Sequence, residues 1–206
     1  MPVTHVNKDL LIACLESSEH IDFEHAAVYA KALELAANCS SDEDVARSCF
    51  EFVRDSIKHS LDFKMNPVTC RASDVLLHGT GYCYAKSHLL AALLRANGIP
   101  AGLCYQRLSV GSGGPPYCLH GLNAVYLRQH GWYRIDARGN KEGITARFAP
   151  PVEHLAFSVF ENEESDLTEI WPAPLPVVIR ALSMDSTVEQ VSRNLPDIEL
   201  TQAKGP

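Results

Sequence analysis

Cys83 follows a glycine-punctuated turn, Gly79-Thr80-Gly81-Tyr82, and leads straight into the strongest helical pattern of the chain. A cysteine at a helix N-terminus meets unpaired backbone N–H groups and the positive end of the helix dipole, both of which favour a thiolate. Position alone leaves the plainer reading open, because most cysteines are simply buried. His120, 37 residues further on, and Asp136 change the balance. A thiol nucleophile needs a base beside it and a carboxylate behind the base, to orient the ring and stabilise its charged form. His120 lies in one β-rich segment and Asp136 in the next. Faces alternate along a strand, so His120 shares a face with Leu122, Ala124 and Tyr126. A turn pairing Leu127 with Gly131 puts Asp136 opposite Leu122, diagonal to His120 and within side-chain reach. An even loop without a bulge would set the two on opposite faces. Taken singly, His120 reads as a core or loop histidine, and Asp136 as a strand-end carboxylate bound to Arg134 or Arg138.

Gly81, Tyr84 and Asn140 are candidates for substrate or oxyanion contact. Gly81 leaves room for a substrate backbone, and Tyr84 adjoins the thiol. Asn140 sits in Arg138-Gly139-Asn140-Lys141, which otherwise reads as a charged turn. The backbone N–H of Cys83 is the expected oxyanion donor. Cys118, two residues before His120 on the same strand face, borders the site or is a metal partner. No third and fourth ligand stands at zinc spacing, so no metal and no cofactor are expected. Cys104 is expected in the core, and of Trp132 and Tyr133 one packs inward while the other is free to line a cleft. The Gly/Pro/Ser loop 109–116 precedes the His120 strand and reads either as reaching the site or as an ordinary solvent loop.

These residues need elements to hold them. The first 60 residues read as helical. Asp22 is expected to cap a helix over 23–38, and Ser41 with Asp44 three residues later resembles an acidic capping box. Val45, Cys49, Phe52, Val53 and Ile57 then follow helical spacing. Asn66-Pro67 marks a turn, and Ser73 is expected to cap a short helix ending near Gly79. Over 84–97, Ala85, Leu89, Ala92, Leu93 and Ala96 make one stripe, stopped by Gly98 with Pro100 beyond. A strand over 101–108 and a hairpin of 119–127 with 132–137 follow. Prolines set extended pieces at 149–151 and 171–176, a helix is expected over 176–193, and the last ten residues are expected to fray. The order, helices and then antiparallel strands, predicts an α+β fold.

Composition removes several function classes. Eighteen Lys and Arg against 25 Asp and Glu leave a net charge of −7, which argues against nucleic acid as a partner. Hydrophobic residues at 46% exclude a disordered chain. No apolar run approaches the roughly 18 to 20 residues of a membrane span, and Met1 to Leu15 lacks the pattern of a signal peptide. Seven cysteines, an odd number with no C-x-x-C spacing, fit free thiols in a reducing cytoplasm. The length suits one domain, 1–206, helical over 1–60, with a core at about 70–142 and a C-terminal extension over 150–206.

Three segments carry a resemblance. Gly-Tyr-Cys83-Tyr-Ala-Lys-Ser-His-Leu-Leu-Ala-Ala-Leu-Leu-Arg95-Ala-Asn-Gly-Ile-Pro100 resembles the cysteine motif of the transglutaminase-like superfamily. His120-Gly-Leu-Asn-Ala-Val-Tyr and Gly-Trp-Tyr-Arg-Ile-Asp136-Ala-Arg-Gly-Asn140 resemble its histidine and aspartate motifs, in the family's order. Phe52-Val-Arg-Asp-Ser-Ile-Lys-His59 is similar to the helix before this core. The resemblance implies a papain-like core with Cys83 as nucleophile, His120 as base and then acid, and Asp136 as the orienting carboxylate. It also implies acyl transfer through a thioester, on a peptide or protein substrate. Papain-type enzymes carry a Gln oxyanion donor six residues before the cysteine, where this chain has Leu77. A protease or peptidase is the first expectation and a protein-glutamine transglutaminase the second. A catalytically silent peptide-binding module and a thiol redox sensor are the readings from other classes.

Overall fold

The computed structural model describes residues 7–111, 113–160 and 163–198. The expected fraying of the last ten residues lies almost wholly outside them. The N-terminal part is helical: α1 (Lys8–Ala13), α2 (Ala26–Ala36) and α3 (Asp42–Ser56). The Ser41 hydroxyl accepts from Asp44 N at 3.1 Å and so caps α3, while the Asp44 carboxylate reaches back to Ser40 N. Asp22 departs from expectation. Its carboxylate accepts from Ser73 N at 3.0 Å, at the start of α5 (Ala72–His78) rather than of α2. Ala72 N also donates to His20 O, so the 20–22 segment lies across that helix end and supplies the cap from a distance. Ser73 therefore sits inside α5, whose N-cap position is Arg71, and α2 starts only at Ala26.

Between α3 and α5 lie β1 (Lys58–His59) and α4 (Ser60–Phe63). After α5, Gly79 adopts φ +64° and ends the helix, and β2 (Thr80–Gly81) pairs in parallel with β1, His59 opposite Gly81. α6 (Cys83–Ala96) starts at the cysteine itself and is buried continuously from Cys83 to Arg95. A single apolar stripe would need one partner. This helix has two, because α2, α3 and α5 pack on it from one side and the sheet from the other.

The sheet is antiparallel, in the order β5-β4-β3-β6, from β3 (Ala101–Ser109), β4 (Tyr117–Leu127), β5 (Gly131–Ile135) and β6 (Ser165–Asp166). Leu127 pairs with Gly131 across a three-residue turn, the register that puts His120 and Asp136 on one face. The expected C-terminal helix is two, α7 (Pro176–Met184) and α8 (Val188–Arg193), because Thr187 and Gln190 close a capping box that restarts the helix.

Arg95 ties the end of α6 to the segments at Glu16 and Pro172. Its buried guanidinium donates to Ala101 O from Nε (2.9 Å) and from Nη2 (2.7 Å), and to Glu16 O and Pro172 O at 2.7 Å each. Arg95→Met would leave these carbonyls without donors. It is expected to cost about 3 kcal/mol or more, read as a lower urea midpoint.

Candidate active site

α6 has no side-chain cap, and its first intrahelical bond runs from Lys86 N to Tyr82 O. The N–H groups of Cys83, Tyr84 and Ala85 therefore have no partner within the helix. The cysteine is 7% exposed and opens onto a cleft of ≈ 690 Å³. β4 crosses over this helix end. Gly121 N donates to Cys83 Sγ at 3.4 Å, and one residue earlier the His120 ring lines the same cleft beside the thiol, whose charge acts on it. One side of that ring is engaged, because Nε2 donates to Asp136 Oδ2 at 2.8 Å. Nδ1 is thus the nitrogen left for the sulfur.

Asp136 is fully buried and satisfied, but not by the arginine side chains that its strand-end position suggested. Arg138 N donates to Oδ1 at 3.1 Å and Ala156 N to Oδ2 at 3.0 Å. Arg134 pairs instead with Glu153 and Asp166, and the Arg138 guanidinium with Asp62. The segment carrying Ala156 also shields the pair. The Phe157 ring stands edge-on to His120 at 4.9 Å, and Gln106, opposite His120 in the sheet, donates to Phe157 O.

Electrostatics follow from this packing. Burial disfavours an imidazolium at His120, but the charges of Asp136 and Cys83 and the hydrogen bond to Asp136 outweigh it and lift the group to about 10. Burial pushes the Asp136 carboxyl up, yet the His120 charge and the bonds from His120, Ala156 and Arg138 hold it below its ordinary value.

The flanking candidates divide. Tyr84 borders the cleft, but its hydroxyl is committed to Leu119 O. Gly81 lies beneath it, where an added Cβ would stand 3.2 Å from the Ala85 Cβ and from the Thr69 hydroxyl. Asn140 is spent on Ala146, donating to its carbonyl and accepting from its N–H, and faces a separate cavity of ≈ 340 Å³. Cys118 lines the cleft, and burial, with Cys83 beside it, pushes its thiol up to about 12. Among the described residues no three His, Cys, Asp or Glu side chains are grouped to hold a metal ion. Residues 109–111 of the Gly/Pro/Ser loop do reach the cleft. Cys104 and Tyr133 are buried, while Trp132 packs on the Cys104, Leu122 and Ala124 cluster rather than along the cleft.

Sequence reasoning missed three contributors: Gly121, the 156–157 segment and His59. A glycine in mid-strand was the available signal for the first. A Cβ at Gly121 would stand 3.0 Å from the Tyr84 ring, 3.1 Å from Tyr84 Cα and 3.2 Å from Tyr84 N. Backbone cannot yield as a side-chain tip can. Gly121→Ala is therefore expected to lift β4 off the helix end, costing about 1–3 kcal/mol. Alkylation of Cys83 should slow roughly tenfold or more, as the ring and thiol separate.

A family model, that of the transglutaminase-like superfamily, matches residues 29–137, a little over half of the chain. The chain belongs to the transglutaminase-like superfamily. No curated protein matches it. Among solved structures, it resembles a proposed cysteine protease from Cytophaga hutchinsonii with a TM-score of 0.51 and 20% identity, over 67% of this chain and 45% of that one. The periplasmic domain of TgpA from Pseudomonas aeruginosa gives a TM-score of 0.49 and 18% identity, over 65% of this chain and 48% of that one. The chain thus spans about half the length of these structures. The mixed helical and antiparallel fold is that of this superfamily. Among the described residues no helix is long and apolar enough to cross a membrane.

Proposed function

We propose that this member of the superfamily is a cysteine-dependent amide hydrolase or acyltransferase, acting first as a peptidase on a peptide or protein substrate. The observation that carries the reading is one imidazole hydrogen-bonded to a buried carboxylate and set in the same cleft as a thiol at a helix N-terminus, which the next residue of its own strand contacts. A charged His120 beside Cys83, with Gly121 N–H donating to the sulfur, favours the thiolate. The thiolate attacks the amide carbonyl, and the oxyanion that forms takes the free N–H of Cys83. His120 passes its proton to the leaving amine as the C–N bond breaks and a thioester remains. Water, or an amine in the transglutaminase alternative, then gives a proton to His120 as it attacks, and the thiolate leaves. All seven cysteines are free thiols, which supports a reducing compartment as the site of action.

The test is alkylation by iodoacetamide, followed cysteine by cysteine by mass spectrometry, in wild type and His120→Ala. The reading expects Cys83 to react fastest of the seven at neutral pH, with that advantage lost in the variant. A Cys83 no faster than its neighbours would remove it and leave a peptide-binding module on the same fold.

A further inference from the structure

His59 is 6% exposed, yet it lines the same cleft as Cys83 and His120. The β1–β2 pairing sets it beside Gly81, two residues before the thiol, with its ring edge-on to Tyr82 at 5.6 Å. Its Nδ1 is sealed from solvent and has no hydrogen-bond partner. A buried polar atom without a partner calls for a reason, since the fold bears its desolvation cost.

The surroundings fix the ring's state. Asp62 Oδ2 lies 3.6 Å from Nδ1, too long for a hydrogen bond but close enough for the carboxylate to favour a proton on that nitrogen. Asp62 is itself anchored by Arg138, at 2.7 Å and 3.2 Å, and by Lys141 at 2.7 Å. Burial, then the charges of Arg138 and Lys86, outweigh Asp62 and keep the imidazole neutral, down to about 3. A neutral ring protonated at Nδ1 carries its lone pair on Nε2, and the residue lines both the Cys83 cleft and the neighbouring cavity. The two tyrosine hydroxyls beside it are taken. The Tyr82 hydroxyl donates to Val188 O and the Tyr84 hydroxyl to Leu119 O.

We propose that His59 contacts substrate, its Nε2 accepting a hydrogen bond from an N–H or O–H of the reactants, either the scissile amide N–H or the incoming water or amine. This rests on the acyl-transfer reading above. Asp62 is then the positioning residue that holds the acceptor tautomer, and the Arg138 salt bridge links this wall to the loop after Asp136.

The two sources separate kinetically. Wild type, His59→Gln and His59→Leu are compared on an N-acylphenylalanine p-nitroanilide and its matched p-nitrophenyl ester, which differ in the leaving-group N–H. If the scissile N–H is the partner, His59→Leu acylates at least tenfold more slowly with the anilide and normally with the ester. If the acceptor is the partner, the burst is unchanged and thioester breakdown slows with both. In either case His59→Gln, which keeps an acceptor, should recover a large share of the lost rate. Equal rates for His59→Leu and wild type in both phases overturn the proposal. A His59→Gln as slow as His59→Leu does so too, since only shape would then matter. A wild type with no Cys83-dependent turnover of either substrate, by burst or in the steady state, instead removes the acyl-transfer reading, and the proposal with it.

Discussion

Asp136→Asn should lower kcat/KM by a factor on the order of 10³ while leaving the protein folded. The carboxylate accepts three hydrogen bonds, from Arg138 N, Ala156 N and His120 Nε2. All three partners donate to it, and an amide offers one acceptor and one donor group. Two arrangements are open to the asparagine. If its oxygen takes the place of Oδ2, the NH2 meets Arg138 N, donor against donor, and the loop shifts. If the NH2 takes that place, His120 must turn Nε2 into an acceptor and carry its proton on Nδ1. That nitrogen then presents N–H to the thiol and cannot take a proton from it. Either way the negative charge that helps to raise His120 is gone, so less imidazolium faces Cys83 at neutral pH. Asp136→Ala should lose comparable activity but also stability, because two buried N–H groups lose their acceptor. Single-turnover acylation with matched circular dichroism spectra would check this. An Asp136→Asn enzyme within threefold of wild type would mean that the carboxylate serves only the fold.

That Cys83, His120 and Asp136 come together was legible because each sat in a strong local signal: a glycine turn before a helix, and a hairpin whose odd loop fixes the facing of both strands. Leu127 opposite Gly131 is enough to bring His120 and Asp136 together. What stayed illegible was tertiary. Asp22 carries the signature of a local N-cap, yet the chain crossing of α5 takes its carboxylate. Nothing periodic marks 153–158, which forms almost no regular structure, yet Ala156 N and Phe157 from that segment enclose the imidazole–carboxylate pair. His59 follows a helical run and looks like its end. Only the pairing of β1 with β2, between residues 22 positions apart, shows it to be cleft wall. Local pattern therefore located the three groups of the proposed site, while the groups that orient and shield them depend on contacts between distant segments.

Acid should destabilise this protein well before its carboxylates protonate, and His88 should account for about half of the effect. His88 is completely buried, five residues beyond Cys83 in α6. Its Nδ1 lies 2.8 Å from Cys70 O, so that nitrogen must carry the proton, and Nε2 is sealed with no partner. A second proton would leave a charged N–H in an apolar core. Burial, assisted by His20 and Arg95 and only partly offset by the Cys70 bond, depresses His88 to about 4. His59 is depressed to about 3, with burial and then Arg138 as causes. Both groups are neutral in the folded state and take up a proton on unfolding below about 6.5. Their stabilising contribution is therefore complete above pH 6.5 and falls as pH drops toward 4. Each removes about 1.4 kcal/mol per pH unit, together about 4 kcal/mol between pH 6 and 4.5, a large part of a typical folding free energy. The comparison is made in a Cys83→Ala background, because a thiolate–imidazolium pair would take up a proton at its thiol on unfolding and add to the slope, whereas His120 alone, raised by Asp136, is protonated in both states over most of this range. The lowered Asp62 and Asp136 act only further down, below about 4. His88→Gln can still donate to Cys70 O but cannot titrate, so it should halve the slope of urea-unfolding free energy against pH over this range. A slope parallel to that of the Cys83→Ala parent would mean that His88 takes its proton in the folded state after all, with a water or a shifted carbonyl at Nε2.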